Sequence, residues 1–190
     1  SGYEEEFIDI LEENLREAIR LEAEVREVPP GEFTWPSIGG RMDLHNTKLR
    51  EVLHETLQNY LREWISDDPN DDTRRSLLSR YLDDMLVFRQ LALSYLRSCP
   101  KVYDELVTVE LLHSENYDDP RIQYEFFTLL RDAFSILDDD DKQQVLEIIG
   151  QGISAEEAKE RSERLDDKFP DRSIDEIAEF LDDRWKLKRF

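Results

Sequence analysis

Proline and glycine, the residues a helix interior tolerates least, are confined to a few places in this chain. The stretch REVPPGEFTWPSIGGRMD (26–43) holds three of each, and the others stand singly at Gly2, Pro69, Pro100, Pro120, Gly150, Gly152 and Pro170. Between these stops the apolar residues recur at three- and four-residue intervals, the period of a helix with one buried face. In FIDILEENLREAIRLEAEV the set is Phe7, Leu11, Leu15, Ala18 and Ile19. In DLHNTKLREVLHETLQNYLREWIS it is Leu49, Val52, Leu53, Leu57, Tyr60, Leu61, Trp64 and Ile65, with Lys48, Arg50, Glu51, Glu55 and Arg62 facing away.

The next segment, TRRSLLSRYLDDMLVFRQLALSYLRS (73–98), reads as one helix. It is apolar over more than half its circumference from Leu82 to Leu96, the pattern of a helix central to its bundle. KVYDELVTVELLHS and RIQYEFFTLLRDAFSIL predict two further helices, separated by the break ENYDDP (115–120) with its ready N-cap. DDDDKQQVLEIIGQG predicts a short helix stopped by Gly150 and Gly152. Ser154 with Glu157, and Ser173 with Glu176, form capping boxes that open the last two. Strand-like alternation is absent from the sequence. The expected fold is all-α, an irregular helical bundle or short α-solenoid of about eight helices joined by short acidic turns. Residues 1–190 read as a single all-helical domain, with 1–98 and 99–190 as an alternative division into two packed halves.

The 190 residues carry 46 acidic and 25 basic side chains, a formal net charge of −21. A field of that sign repels nucleic-acid backbone and anionic membrane surfaces, and it attracts basic partners. Arginine outnumbers lysine 18 to 7, and Asp is nearly as frequent as Glu, as in salt-adapted surfaces. Acidity then has two readings, solvation of the surface or binding of a basic partner. Cys99 is the single cysteine, so an internal disulfide is impossible and a cytoplasmic setting is expected. The opening SGYEEEFIDIL is acidic where a secretory leader would be basic, and no window approaches a membrane span.

The four aspartates at 138–141 invite a metal reading. A calcium loop of the EF-hand type needs Gly at its sixth position and Glu at its twelfth. Counted from Asp138, these are Gln143 and Ile149, and starting later fails as well. Adjacent carboxylates also point in different directions from a regular backbone. The expectation is that Asp138 or Asp139 caps a helix, with the others in the first turn against the dipole. His45, His54 and His113 lack the spacing of a zinc site, and no phosphate-binding loop or nucleophile elbow is present. No catalytic, cofactor or metal site is expected.

The stretches YEFFTLLRDAFSILDDDDKQQVLEIIGQG and IAEFLDDRWKLKRF resemble helical, HEAT-like regions of very large prokaryotic multidomain proteins, some of them acting in anti-phage defence. Phe126, Leu130, Arg131, Phe134, Leu137, Gln144, Leu146, Ile149, Trp185 and Arg189 carry the resemblance. It implies a scaffold or sensor segment and brings no catalytic residues with it. The functional expectation is a non-enzymatic helical interaction module of a larger intracellular protein, its helix continuing past residue 190. Its partner would be a protein or an adjoining domain of the same chain. The aromatic loop with Phe33, Trp35 and Ile38, and the last helix with Trp185 and Phe190, are the expected contact residues. The alternative is a stand-alone acidic protein that mimics nucleic acid or binds a basic protein. Direct nucleic-acid binding is not expected.

Overall fold

The computed structural model describes residues 2–27, 49–68 and 71–152, with residues 173, 175, 176, 179, 181 and 182. The described residues form seven α-helices and no strand: α1 (Gly2–Arg26), α2 (Leu49–Asp67), α3 (Asp72–Leu82), α4 (Leu86–Ser98), α5 (Asp104–Leu112), α6 (Gln123–Ala133) and α7 (Asp139–Gln151). Short 3-10 turns lie at Ser114–Tyr117 and Phe134–Ile136. The fold is all-α, and none of the described helices is long and apolar enough to cross a membrane.

α1 and α2 pack as an antiparallel pair. Phe7 meets Tyr60 edge-on at 4.8 Å near one end, and Arg50 pairs with Glu22 at 3.2 Å near the other. Against this pair stands α4, whose Val87, Phe88, Leu91, Ala92, Leu93, Tyr95 and Leu96 are all buried. It packs on α3 and α6, and its Tyr95 hydroxyl donates to the Gln58 carbonyl of α2. The central place expected for this segment is the one it occupies. α5 and α7 pack together alongside.

The expected single helix over 73–98 is instead two, α3 and α4. The break has no proline or glycine and is made by Asp84. Its backbone amide bonds the Tyr81 carbonyl, while its carboxylate takes the Met85 amide at 2.6 Å and an arginine from α1. Those competing acceptors end one helix and start the next.

Two other apolar sets agree with expectation in Leu11, Leu15 and Ile19 of α1 and in Leu57, Leu61, Trp64 and Ile65 of α2, and differ in their remaining members. On α1 the buried residues are Ile8, Leu11, Leu15, Ile19 and Ala23, while Phe7 is partly exposed. On α2, Leu49 is 68% exposed and Val52 is exposed too, whereas Arg50 is 7% exposed and His54 is buried. The guanidinium of Arg50 can lie inside because Glu22 of α1 meets it.

The helix starts follow the sequence closely. Asp71 caps α3 by accepting the Thr73 amide at 2.7 Å, and Asp138 caps α7 by accepting the Asp141 amide at 2.8 Å. At the second capping box, Ser173 N–H donates to Glu176 at 2.8 Å and Glu176 N–H returns to Ser173 Oγ at 3.2 Å. The first box, Ser154 with Glu157, lies outside the described residues. α6 begins without a side-chain cap, since Asp119 holds the Arg121 amide instead. Gly150 lies inside α7, and Gly152 alone stops it, at φ 70° and ψ −160°.

Candidate functional site

α1 has two apolar faces. One is the core stripe just described. The second points outward and comprises Tyr3, Phe7, Ile10, Leu21 and Val25, with Tyr3 85% and Val25 84% exposed. Positions 3, 7, 10, 14, 17, 21 and 25 succeed one another at three- and four-residue steps, so they line one side of a straight helix. Asn14 and Glu17 interrupt the stripe in its middle, and the Asn14 amide donates to the Ile10 carbonyl at 2.7 Å. Half-buried Tyr60 extends the apolar surface onto α2 through its contact with Phe7. The Arg50–Glu22 pair sets the start of α2 beside the last turns of α1. Exposed Leu49 and Val52 therefore lie at the same end as Leu21 and Val25.

The border of this face is acidic. At the helical repeat, Glu6, Glu13, Glu17 and Glu24 fall along one edge of the stripe, and all four are exposed. Among the described residues the cation beside them is Arg20, held by Glu17 at 2.6 Å and by Glu24. On the α2 side, Glu4 and Glu63 flank Tyr60. Burial first, then the charges of Glu4 and Glu63, raise the phenol's pKa above its ordinary value. Among the described residues Glu6, Glu13 and Glu63 hold no ion pair.

A second cluster joins α1 to α3 and α4. Glu12 is 5% exposed and accepts from Tyr81 Oη at 2.7 Å and from Arg80 Nη2 at 2.6 Å. Burial pushes the Glu12 carboxyl up, against the opposing pull of Tyr81, Arg80 and Arg16. One turn on, Arg16 grips both Asp84 oxygens, with Nη1 to Oδ1 at 2.8 Å, and its guanidinium lies 4.2 Å from the Phe88 ring centre. Burial would raise Asp84. The Arg16 hydrogen bonds, the Met85 amide and the charges of Arg16 and Arg80 together hold it below the usual carboxylate value. Every polar partner here faces another, so the cluster acts as a latch between helices.

Beside the latch, Ile8, Trp64 and Leu77 floor a cleft of about 260 Å³ whose rim carries Glu5, Asp9 and Arg80. The guanidinium carbon of Arg74 lies over the Trp64 ring, 4.9 Å from its centre. Elsewhere, Asn116 bonds the Glu110 carbonyl at 2.8 Å and its carboxylate at 2.9 Å, with Arg89 completing the group. That knot fixes the turn between α5 and α6. Among the described residues no group of three or more His, Cys, Asp or Glu side chains is placed to hold a metal ion.

The contact residues expected from sequence, Phe33, Trp35, Ile38, Trp185 and Phe190, all lie outside the described residues. The third tryptophan, Trp64, is core. In the outward stripe of α1, Phe7 and Ile10 stand one position from the core residues Ile8 and Leu11, so in the sequence Phe7 reads equally well as a member of the core set. No known protein family, curated protein or solved structure matches this chain.

Proposed function

We propose that this chain is a non-enzymatic helical interaction module and that the outward face of α1 is its contact surface. The observation that carries the reading is the stripe Tyr3, Phe7, Ile10, Leu21 and Val25, exposed along one side of a helix that already has a complete core face. Single exposed apolar residues are ordinary on a protein surface; a row of them at helical spacing is the form that helix-in-groove and helix-on-helix recognition takes. The scaffold role implied by the HEAT-like resemblance belongs to the same proposal.

Carboxylate placement favours the interaction reading over nucleic-acid mimicry, the alternative. The exposed row Glu6, Glu13, Glu17 and Glu24 runs beside an apolar stripe, the pairing that a basic and apolar protein surface matches. Buried Glu12 and Glu110 are committed to the latch and to the Asn116 knot.

Site-specific photo-crosslinking in the native host tests the reading. A crosslinker at Ile10 or Val25 is expected to trap one protein that a crosslinker at exposed Val109, on α5, does not trap. The same band should vanish in the Phe7→Ser/Leu21→Ser variant, whose unfolding curve matches that of the parent. Equal trapping from all three positions, or none from α1, removes the proposal.

A further inference from the structure

The α1 face, if it docks a partner, has chemistry that narrows what the partner is. We infer that its occupant is a basic amphipathic helix of another protein. This rests on the interaction reading above and goes beyond it in stating the partner's secondary structure, charge and anchor spacing.

Three observations point that way. The apolar residues form two clusters, Tyr3, Phe7 and Ile10 with Tyr60 at one end and Leu21 with Val25 at the other. Asn14 and Glu17 lie between them. From Phe7 to Leu21 is fourteen positions, ~21 Å along a helix at 1.5 Å per residue. A partner helix running beside α1 meets both clusters with apolar anchors about fourteen residues apart and a polar stretch between. An extended strand would cover the same distance in far fewer residues, and it would present alternate side chains to the face rather than a helical stripe.

The rim then sets the partner's charge. Glu6, Glu13, Glu17 and Glu24 line one edge, and Glu4 and Glu63 stand at the other beside Tyr60. Arg20, the cation beside this edge among the described residues, is already held by Glu17 and Glu24. Lys or Arg flanking the partner's apolar stripe would meet unpaired carboxylates at Glu6, Glu13 and Glu63, in a chain whose whole field steers cations inward. A second copy of this chain fits poorly. Pairing α1 with its own copy about Asn14 sets like carboxylate edges against each other, with one Arg20 per copy to offset them.

Peptide binding to the full 190-residue chain tests this, read by fluorescence anisotropy and by amide shifts of α1. The probes are three synthetic peptides of about 20 residues. The first carries leucines in two clusters fourteen positions apart on a lysine background, the second has glutamate for every lysine, and the third is a scramble of the first. The lysine peptide should bind at least roughly tenfold tighter than either control, about 1.4 kcal/mol. Its affinity should drop about tenfold in Phe7→Ser/Leu21→Ser and fall as salt rises, because the rim contribution is screened.

Equal binding of the lysine and glutamate peptides overturns the basic partner while leaving an apolar docking face. Equal binding of the scramble, unaffected by Phe7→Ser/Leu21→Ser, reduces the effect to diffuse charge and overturns the inference. A chain that sediments as a dimer, becomes monomeric in Phe7→Ser/Leu21→Ser and ignores every peptide makes a second copy the occupant. That outcome also overturns the inference and keeps the interaction reading. A monomer that binds none of the three removes both.

Discussion

Tyr81 donates its hydroxyl to Glu12 at 2.7 Å, across 69 positions of the chain, and the bond ties α1 to α3 inside the core. Hydrogen bonds to a buried charged group contribute roughly 1.5–3 kcal/mol, so Tyr81→Phe should cost about that much. The cost depends on pH. Burial raises the folded carboxyl above 4.5, so what its titration adds to stability is present below 4.5 and lost as pH rises through the folded value. Tyr81 opposes that loss by stabilising the ionised form. Urea unfolding should therefore show a larger penalty for Tyr81→Phe near neutral pH than in acid. An equal penalty at both would mean that the bond does not sense the charge on Glu12.

His54 imposes the opposite dependence. Burial, and then the charge of Arg50, lower its pKa from 6.5 to about 4. A depressed folded pKa gives stability that is present above 6.5 and lost as pH falls toward 4, because the unfolded chain takes up the proton first. The full difference is about 3 kcal/mol. His54→Gln should flatten the stability profile between those limits, whatever it does to stability at neutral pH. Retention of the parent's acid slope would place the titration elsewhere.

Leu49 and Arg50 exchange the roles their chemistry suggests. Periodicity alone assigns Leu49 to the core, yet Arg50 is inside, against Glu22. Leu49→Ser is expected to change stability by less than about 0.5 kcal/mol, as exposed substitutions do. Arg50→Met removes one partner of a buried pair and leaves Glu22 behind, a loss of about 3 kcal/mol or more. Thermal unfolding of the two variants separates these outcomes, and a greater loss from Leu49→Ser would reverse the assignment.

That exchange shows where the sequence stops being readable. The core of α4 was legible because its apolar residues cover more than half of its circumference, which left little choice of face. The choice on α1 and α2 depended on ion pairs between residues far apart, Glu22 with Arg50 and Arg16 with Asp84, which no local pattern encodes. The same Asp84 splits α3 from α4 where periodicity runs straight through. For the candidate site the ambiguity was sharper. Phe7 is one position from Ile8, and a helix with two apolar faces yields two acceptable stripes until its neighbours are placed.

The aspartates at 138–141 make a local prediction. Asp138 accepts the Asp141 amide, while Asp139 and Asp140 are exposed in the first turn. Asp138→Ala should cost about 1 kcal/mol by loss of the cap. Asp140→Asn should move stability by only a few tenths, since dipole attraction and mutual repulsion offset each other. Calcium titration followed by calorimetry would give heat only if the run held a metal, and none is expected from this geometry.

Gly150 and Gly152, two residues apart, should respond to alanine with opposite signs. Gly150 is helical and exposed, and a Cβ built there meets nothing within 4 Å. Alanine restricts the unfolded chain and suits the helix, so Gly150→Ala should stabilise by about 0.5–1 kcal/mol. Gly152 ends α7 at φ 70° and ψ −160°, a backbone region open almost solely to glycine. Gly152→Ala must either hold that strain, about 1–3 kcal/mol, or lose the helix end that the Gly152 amide closes on the Ile149 carbonyl at 3.2 Å. Parallel denaturation curves give both signs at once. Stabilisation by both substitutions would mean that α7 runs on through residue 152.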